Sequence, residues 1–246
     1  IAGPYAEDMV RYDAIRLTGI TDLDRPKAEE LAGKVGCAVY DDLAALLADE
    51  QVDIVVNLSS HHAHYPLTMQ CLEAGKHVYS EKPLATTAAQ AHELVERARA
   101  KGLRLACSPF TILGEAQQTA WQMIRKGRLG EVRVVYAEVN WGRIEAWHPA
   151  PGPFYEVGAL YDVGVYPLTI LTAMFGPVRR VSSYGRMLYP DRVTKDGTPF
   201  TITTPDFAVS MLEMDNGTLV RLTTNFYVGH HNRQTGLEFH GDLGSL

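Results

Sequence analysis

The 246-residue sequence predicts an α/β fold, with a parallel-sheet domain over residues 1–108 and an α+β domain over residues 109–246. In the first part, short β-branched apolar runs alternate with helical stretches, which is the pattern of β-α-β units. In the second part, long strand-like runs follow one another, which favours antiparallel pairing. The pattern changes near Ser108-Pro109 without a low-complexity linker.

Four strands and four helices are predicted in the first part. The strands are expected at residues 14–21, 52–58, 77–80 and 103–107. The helices are expected at residues 25–35, 42–48, 63–74 and 87–101. Gly75 and Gly102 each directly follow a predicted helix, where a left-handed C-terminal cap is wanted and glycine supplies it without steric cost.

The second part is predicted to contain a helix at residues 115–126 and a buried helix at 167–175. Its strands are expected at residues 132–141, 178–187, 207–214 and 218–227. Asp215-Asn216-Gly217 predicts a tight primed hairpin turn, because Asn-Gly readily takes positive φ angles. The segment from Phe239 to Leu246 has the pattern of a strand, a turn and a strand.

Composition argues against several classes of partner. The 29 acidic and 23 basic residues give a formal charge of -6, with no basic footprint for nucleic acid or an anionic membrane. No apolar run approaches the roughly 18 residues that span a bilayer. Three well-separated cysteines suggest neither a disulfide framework nor a thiolate metal site, so we expect a reducing, cytoplasmic environment.

Asp22 follows the predicted strand 14–21 and is a candidate for binding a dinucleotide. An acidic side chain at the tip of such a strand accepts hydrogen bonds from both adenosine ribose hydroxyls and repels a 2′-phosphate. This favours NAD, while Arg25 nearby keeps NADP possible. The alternative is that Asp22 only caps the helix that begins at Arg25.

Ser59 to His64 follows the predicted strand 52–58, at the sheet edge where α/β proteins bind ligands. Short polar side chains and helix-start amides suit a dinucleotide at that position. Three histidines in four residues also suggest a metal, but without a carboxylate or cysteine partner we predict none. His64 has the alternative of a first-turn helix residue that hydrogen-bonds the backbone.

Glu81-Lys82-Pro83 follows the predicted strand 77–80 and faces the same edge. An ammonium beside a nicotinamide hydrogen-bonds the substrate oxygen and stabilises the alkoxide that forms as hydride leaves. The alternative is a surface Glu-Lys pair before a helix.

Asp162 and Tyr166 are four residues apart at a predicted helix start, where their side chains share a face. Together they can orient a substrate hydroxyl and exchange its proton, if a neighbour such as Lys82 lowers the phenol's pKa. The alternatives are a helix cap for Asp162 and a packed aromatic for Tyr166. We predict that Lys82, Asp162 and Tyr166 meet in one active site between the domains.

In their order and spacing, these motifs resemble the glucose-fructose oxidoreductase/inositol dehydrogenase/rhizopine-catabolism (Gfo/Idh/MocA) family. The most specific segments are AGKHVYSEKPLATT and GALYDVGVYPL, and the likeness covers nearly the whole chain. The resemblance implies a Rossmann domain followed by an α+β domain with a large open, mainly antiparallel sheet. It implies hydride transfer between NAD or NADP and a sugar, polyol or related cyclic alcohol. It also implies a homodimer or homotetramer formed through the exposed sheet face.

The resemblance also implies roles for individual residues. Lys82 is the catalytic lysine, Asp162 the carboxylate near the substrate, and Tyr166 the proton-transfer group where many members have histidine. Trp147-His148 stands where many relatives have Trp-Arg. The residues implied to contact the cofactor are Ala2, Asp22, Leu58, Ser59, His61, Glu81, Lys82 and Trp147.

Ile1 to Tyr5 resembles the last part of the family's Gly-x-Gly-x-x-Gly/Ala fingerprint, with Ala2 in its final position. The first strand and both leading glycines precede that position in the family, so the hypothesis is that this sequence is a fragment of a longer protein. Two other functions stay open: a non-catalytic dinucleotide sensor or interaction module, and a glycosidase that uses NAD transiently.

Overall fold

A computed structural model describes residues 1–229 and 235–246 and divides the chain into two units, Ile1–Ser108 and Pro109–Leu246. The strands of the first unit are β1 (Gly19–Ile20), β2 (Ala38–Val39), β3 (Ile54–Asn57), β4 (His77–Ser80) and β5 (Leu105–Cys107). Its helices are α1 (Ala2–Met9), α2 (Arg25–Val35), α3 (Leu43–Ala48), α4 (His61–Glu73) and α5 (Ala88–Ala100). β1 pairs with β2, and β3, β4 and β5 form a second sheet in that order, all parallel. The predicted parallel α/β class is therefore confirmed.

Side-chain caps fix where α3 and α5 begin. The Asp42 carboxylate accepts a hydrogen bond from Ala45 N at 2.7 Å, and Thr87 Oγ1 accepts one from Gln90 N at 3.2 Å. Each such cap is worth about 1 kcal/mol. Gly75 and Gly102 have φ of 81° and 67°, which confirms the predicted left-handed positions after α4 and α5.

Three predictions for the first unit are wrong in extent. The strand expected at 14–21 is reduced to its end, because its partner β2, which was not predicted, is only two residues long. The strand expected at 52–58 is shorter, and it begins at Ile54, whose side chain is 57% exposed. The helix expected to begin at Ala63 begins at His61, so His61 and His62 are helical residues rather than part of a turn.

The second unit is built on one six-stranded sheet with the order β13-β12-β6-β11-β10-β7. Its strands are β6 (Val132–Asn140), β7 (Val178–Arg186), β10 (Phe207–Met214), β11 (Leu219–Asn225), β12 (Thr235–Gly241) and β13 (Gly244–Ser245). A separate hairpin consists of β8 (Asp191–Val193) and β9 (Pro199–Thr201), which were not predicted. Only the β6–β11 pair of the large sheet is parallel, which confirms the mainly antiparallel prediction.

One face of the large sheet is buried under helices. The helices of the second unit are α6 (Glu115–Arg125), α7 (Gly152–Val157), α8 (Ala159–Asp162) and α9 (Val165–Phe175). Leu171 and Phe175 of α9 and residues of α6 form one core cluster with Val135, Leu212 and Val220 of the sheet. Residues that alternate with these core positions therefore point to the opposite face of the sheet.

The β10–β11 connection differs in detail from the prediction. Gly217 N donates to Met214 O and Met214 N donates to Thr218 O, both at 2.9 Å. These bonds define a three-residue loop with Gly217 at φ 90°, rather than a two-residue primed turn. Gly217 is still the residue that allows the tight connection, because glycine takes a positive φ angle without steric cost.

Candidate active site

The turn that carries Lys82 follows β4 directly and is held by the carboxylate of Glu81. Glu81 Oε2 accepts a hydrogen bond from Lys82 N at 2.9 Å. Glu81 Oε1 accepts one from Tyr5 Oη at 2.6 Å and one from Ser108 Oγ at 3.2 Å. Glu81 and Lys82 are both partly buried, and hydrogen bonds within the first unit hold the carboxylate of Glu81.

Tyr5 lies in α1 and Ser108 follows β5, so Glu81 joins three elements of the first unit. Burial, followed by the hydrogen bond to Glu81, raises the pKa of Tyr5 above its ordinary value. The phenol therefore keeps its proton and remains a donor to the carboxylate. Sequence reasoning missed Tyr5 and Ser108, because neither stands near Glu81 in the chain.

A second turn, after β3, is organised by Asn57 and His64. Asn57 is buried, and its Oδ1 accepts a hydrogen bond from Ser59 Oγ at 2.7 Å. The His64 ring is also buried, with Nδ1 2.6 Å from Pro83 O and Nε2 3.0 Å from Ser59 O. The prediction that His64 hydrogen-bonds the backbone is confirmed, and the ring connects the Ser59 turn to the Lys82 turn.

Asp22 is exposed just beyond β1, and its Oδ1 accepts a hydrogen bond from Asp24 N at 2.8 Å. The residue that caps α2 is Asp24, whose carboxylate accepts from Lys27 N. The alternative of Asp22 as the helix cap is therefore wrong. Arg25 lies with its Nε 2.8 Å from Glu29 Oε1 and its Nη1 2.5 Å from Asp41 Oδ1.

Two helices of the first unit, α1 and α4, begin without a side-chain capping hydrogen bond. Ile1, whose side chain cannot accept a hydrogen bond, occupies the N-cap of α1, and the Ser60 side chain does not cap α4. Among the described residues, nothing lies within 4 Å of a Cβ added to Gly3, in the first turn of α1. Helix-start amides without a side-chain acceptor are suited to bind anions.

Asp162 and Tyr166 lie on two helices rather than one. Asp162 is the last residue of α8, and Tyr166 is the second residue of α9. The prediction of one shared helix is wrong, because Val163 and Gly164 separate the two helices and Gly164 N donates to Ala159 O rather than to Leu160 O. Asp162 is 2% exposed and does not cap α9, whose N-cap is Gly164. Tyr166 is half-buried and packs against an apolar cluster, as the packed-aromatic alternative predicted.

Trp147 ends a 3-10 turn, Ile144–Ala146, and belongs to an aromatic cluster. Its ring centroid lies 5.5 Å from that of His148 and 6.2 Å from that of Phe154, both in edge-to-face geometry. His148 Nδ1 accepts a hydrogen bond from Ala150 N at 3.0 Å, so its ring is fixed locally. Trp147 is partly exposed, which leaves its ring open to a ligand.

A buried ion-pair network supports the Trp147 segment. The Arg192 side chain is fully buried, with Nη1 2.8 Å from Glu145 Oε1 and Nη2 2.5 Å from Asp206 Oδ2. Arg192 Nη1 also donates to Tyr155 Oη at 2.6 Å. Burial, followed by the hydrogen bond to Glu145, raises the pKa of Tyr155 above its ordinary value. None of these four residues was singled out from the sequence.

The geometry groups the candidate residues within each unit. Glu81, Lys82, Ser59 and His64 belong to the first unit, whereas Asp162, Tyr166 and Trp147 belong to the second.

In residues 1–229 and 235–246 no group of three His, Cys, Asp or Glu side chains is arranged to hold a metal ion. Within the same residues no helix has the length and hydrophobicity required to cross a bilayer.

Parallel sheets with turns and helix starts after the carboxyl ends of β1, β3 and β4 are typical of a nucleotide-binding α/β protein of the Rossmann class. The chain belongs to the GFO/IDH/MocA family. Residues 1–108 match the family described as "Oxidoreductase family, NAD-binding Rossmann fold", and residues 117–246 match the GFO/IDH/MocA C-terminal domain. The suspected family is therefore confirmed.

Relatives include two curated enzymes. The chain is 31% identical over 229 residues to dTDP-3,4-didehydro-2,6-dideoxy-alpha-D-glucose 3-reductase of Streptomyces violaceoruber, covering 93% of the chain and 64% of that enzyme. It is 32% identical over 173 residues to D-xylose 1-dehydrogenase (NADP(+)) of Hypocrea jecorina, covering 66% of the chain and 44% of the enzyme. The chain thus spans less than two thirds of the length of either relative.

Among solved structures, the WlbA dehydrogenase from Bordetella pertussis in complex with NADH and UDP-GlcNAcA has a TM-score of 0.87 at 21% identity. The match covers 100% of this chain and 73% of that one. At this identity the likeness shows the fold.

Proposed function

We propose that the protein is an NAD(P)-dependent dehydrogenase that transfers hydride between the nicotinamide and an alcohol carbon of a sugar, polyol or related cyclic alcohol. The observation that carries this proposal is Lys82, held by Glu81 at the carboxyl end of β4 in a chain of the GFO/IDH/MocA family. The two curated relatives, a sugar reductase and a sugar dehydrogenase by name, support the same reaction class.

The proposed roles follow from side-chain chemistry. When bound, a nicotinamide would supply the hydride donor or acceptor for the reaction. Lys82 donates a hydrogen bond to the substrate oxygen and stabilises the negative charge that develops there. Tyr166 holds or moves the hydroxyl proton at its phenol oxygen, and Asp162 orients the substrate.

The proposed cofactor contacts lie mainly in the first unit. Amides at the start of α1, around Ala2, bind the pyrophosphate, and Asp22 accepts hydrogen bonds from the adenosine ribose. The backbone at Leu58, Ser59 and His61 borders the dinucleotide. Trp147 offers an exposed aromatic face to the nicotinamide end. We propose that Glu81 holds the turn that carries Lys82, because its carboxylate already accepts three hydrogen bonds from the protein.

NAD is the proposed cofactor in preference to NADP. Asp22 repels a 2′-phosphate, and Arg25 already lies between Glu29 and Asp41. We expect Asp22→Ser to raise kcat/KM for NADP relative to NAD by about tenfold, since removing one nearby repulsion is worth on the order of 1–2 kcal/mol. Steady-state kinetics with both cofactors measures the ratio, with Asp13→Ser as an exposed control. An unchanged ratio would show that Asp22 does not select the cofactor.

The uncovered face of the large sheet is proposed to form a homodimer or homotetramer. The face of the sheet opposite the helices carries four exposed residues on the paired strands β6, β7, β10 and β11. They are Tyr136, Tyr184, Met211 and Leu219. Apolar side chains grouped on one sheet face indicate an interface. Sedimentation velocity is expected to show a homo-oligomer for the native protein and smaller species for Met211→Arg.

A cytoplasmic location is also proposed. Cys37, Cys71 and Cys107 are free thiols in the structure. Burial raises the pKa of Cys71 to about 11 and that of Cys107 to about 12, which keeps these thiols protonated and unreactive near neutral pH.

One assay distinguishes the proposed dehydrogenase from the two alternative functions, a non-catalytic dinucleotide sensor and a glycosidase that uses NAD transiently. The protein is incubated with sugars, inositols and dihydrodiols and each cofactor, and absorbance at the nicotinamide band is followed. A dehydrogenase changes the redox state of the cofactor with at least one substrate. A sensor binds the dinucleotide without changing its redox state. A glycosidase that uses NAD transiently releases sugar from an aryl glycoside without net consumption of the cofactor.

A further inference from the structure

His64 connects the two turns that border the proposed cofactor site of the first unit. The ring is 1% exposed and lies in the first turns of α4. Its Nδ1 lies 2.6 Å from Pro83 O, next to Lys82, and its Nε2 lies 3.0 Å from Ser59 O. The ring therefore spans from the end of β3 to the end of β4.

The position of the ring is itself fixed by the backbone. His64 N donates to Ser60 O at 3.2 Å, and His64 O accepts a hydrogen bond from the Asn57 amide at 3.1 Å. Asn57 is the last residue of β3 and is buried. His64 is thus supported by a strand end rather than by a surface loop.

The chemistry of the contacts determines what the ring contributes. Both contacts are to carbonyl oxygens, which only accept hydrogen bonds, so a ring nitrogen bonds to its carbonyl oxygen only where it carries a proton. We take Nδ1, whose contact is the shorter at 2.6 Å, as the donor to Pro83 O. On the other side of Lys82, its own backbone N–H donates to Glu81 at 2.9 Å. The Lys82 backbone is therefore held from both sides.

We propose that His64 is a positioning residue for Lys82, acting through the Pro83 carbonyl. This inference rests on the proposed dehydrogenase function, in which the Lys82 ammonium must lie within hydrogen-bond distance of the substrate oxygen. A displacement of about 1 Å in such a group costs on the order of a hundredfold in rate. His64 itself touches neither substrate nor cofactor in this proposal.

Three substitutions separate the two ring contacts. The amide nitrogen of His64→Asn can occupy the Nδ1 position and donate to Pro83 O, whereas that of His64→Gln can occupy the Nε2 position and donate to Ser59 O. His64→Leu removes both contacts. Tyr65→Phe is the matched control, because it removes an exposed hydroxyl on the same helix that donates to Glu93.

The expected pattern is a loss of kcat of about 10- to 100-fold in His64→Leu and His64→Gln. His64→Asn and Tyr65→Phe are expected to stay within about threefold of the native kcat. The dissociation constant for NADH is expected to change little in His64→Gln and Tyr65→Phe, which keep the contact to Ser59 O. Equal kcat in His64→Asn and His64→Gln overturns the proposal, and this comparison suffices even if His64→Leu does not fold.

A second readout does not depend on turnover. The lysines are reductively methylated with ¹³C, and the Lys82 resonance is identified by its loss in Lys82→Met. We expect this resonance to shift in His64→Gln and to stay at its native position in His64→Asn. If it shifts in this way in a protein that oxidises no alcohol, the positioning inference stands and the dehydrogenase proposal fails. If it is unmoved in both variants while turnover is present, the positioning inference fails and the dehydrogenase proposal stands.

Discussion

Replacing Lys82 with methionine is expected to lower kcat by about 10²- to 10⁴-fold, the range for loss of a group that assists proton or charge transfer. Methionine keeps most of the apolar length of lysine but has neither its charge nor its hydrogen-bond donors. The developing alkoxide therefore loses its stabilising partner. Single-turnover absorbance at the nicotinamide band measures the rate, and NADH fluorescence titration is expected to show a nearly native dissociation constant.

The matched control for Lys82→Met is Lys34→Met. Lys34 lies on α2 with its Nζ 2.6 Å from Glu30, in an exposed pair whose loss costs little. We expect this variant to retain native turnover. Retained turnover in Lys82→Met would remove the lysine from the mechanism, and loss of NADH binding would instead assign Lys82 to the cofactor.

Replacing Arg192 with methionine is expected to lower the free energy of unfolding by about 3–5 kcal/mol, the usual cost of removing one partner from a buried ion pair. Arg192 is fully enclosed between Glu145 and Asp206. Methionine occupies a similar volume but leaves both carboxylates buried without their cation. The cost therefore arises mainly from the carboxylates that remain. Chemical denaturation followed by tryptophan fluorescence measures the change.

The control for Arg192→Met is Arg133→Met, which breaks an exposed pair with Asp242 at 3.0 Å. Exposed ion pairs contribute about 0–1 kcal/mol to the free energy of unfolding. The free energy of unfolding of Arg133→Met is therefore expected to be close to that of the native protein. If Arg192→Met lowers the free energy of unfolding no more than Arg133→Met does, the ion-pair network does not stabilise the second unit.

Local patterns were sufficient to predict most of the secondary structure. Alternating apolar runs and helix caps such as Asp42 and Thr87 act within a few residues, so they are visible in the sequence. The boundaries were wrong where strand pairing decides them, as in residues 14–21, because the length of a strand depends on a partner elsewhere in the chain.

The motifs predicted candidate residues for the chemistry but not the contacts that hold those residues in place. Tyr5 reaches Glu81 across 76 positions, and Arg192 reaches Glu145 across 47. No periodicity or spacing rule covers such distances, so these supports emerge only in the fold. The break at Gly164 was hidden for a different reason, because a single glycine in an otherwise helical pattern is also compatible with a continuous helix.

We propose that Lys82 and Tyr166 act on the same substrate oxygen. A double-mutant cycle with Lys82→Met, Tyr166→Phe and the combined variant tests it by comparing kcat/KM. Groups that act as a unit on one oxygen lose their effect together, so the combined variant is expected to be about as slow as the slower single variant. Losses that multiply would contradict the claim, because they would show that the lysine and the tyrosine act independently.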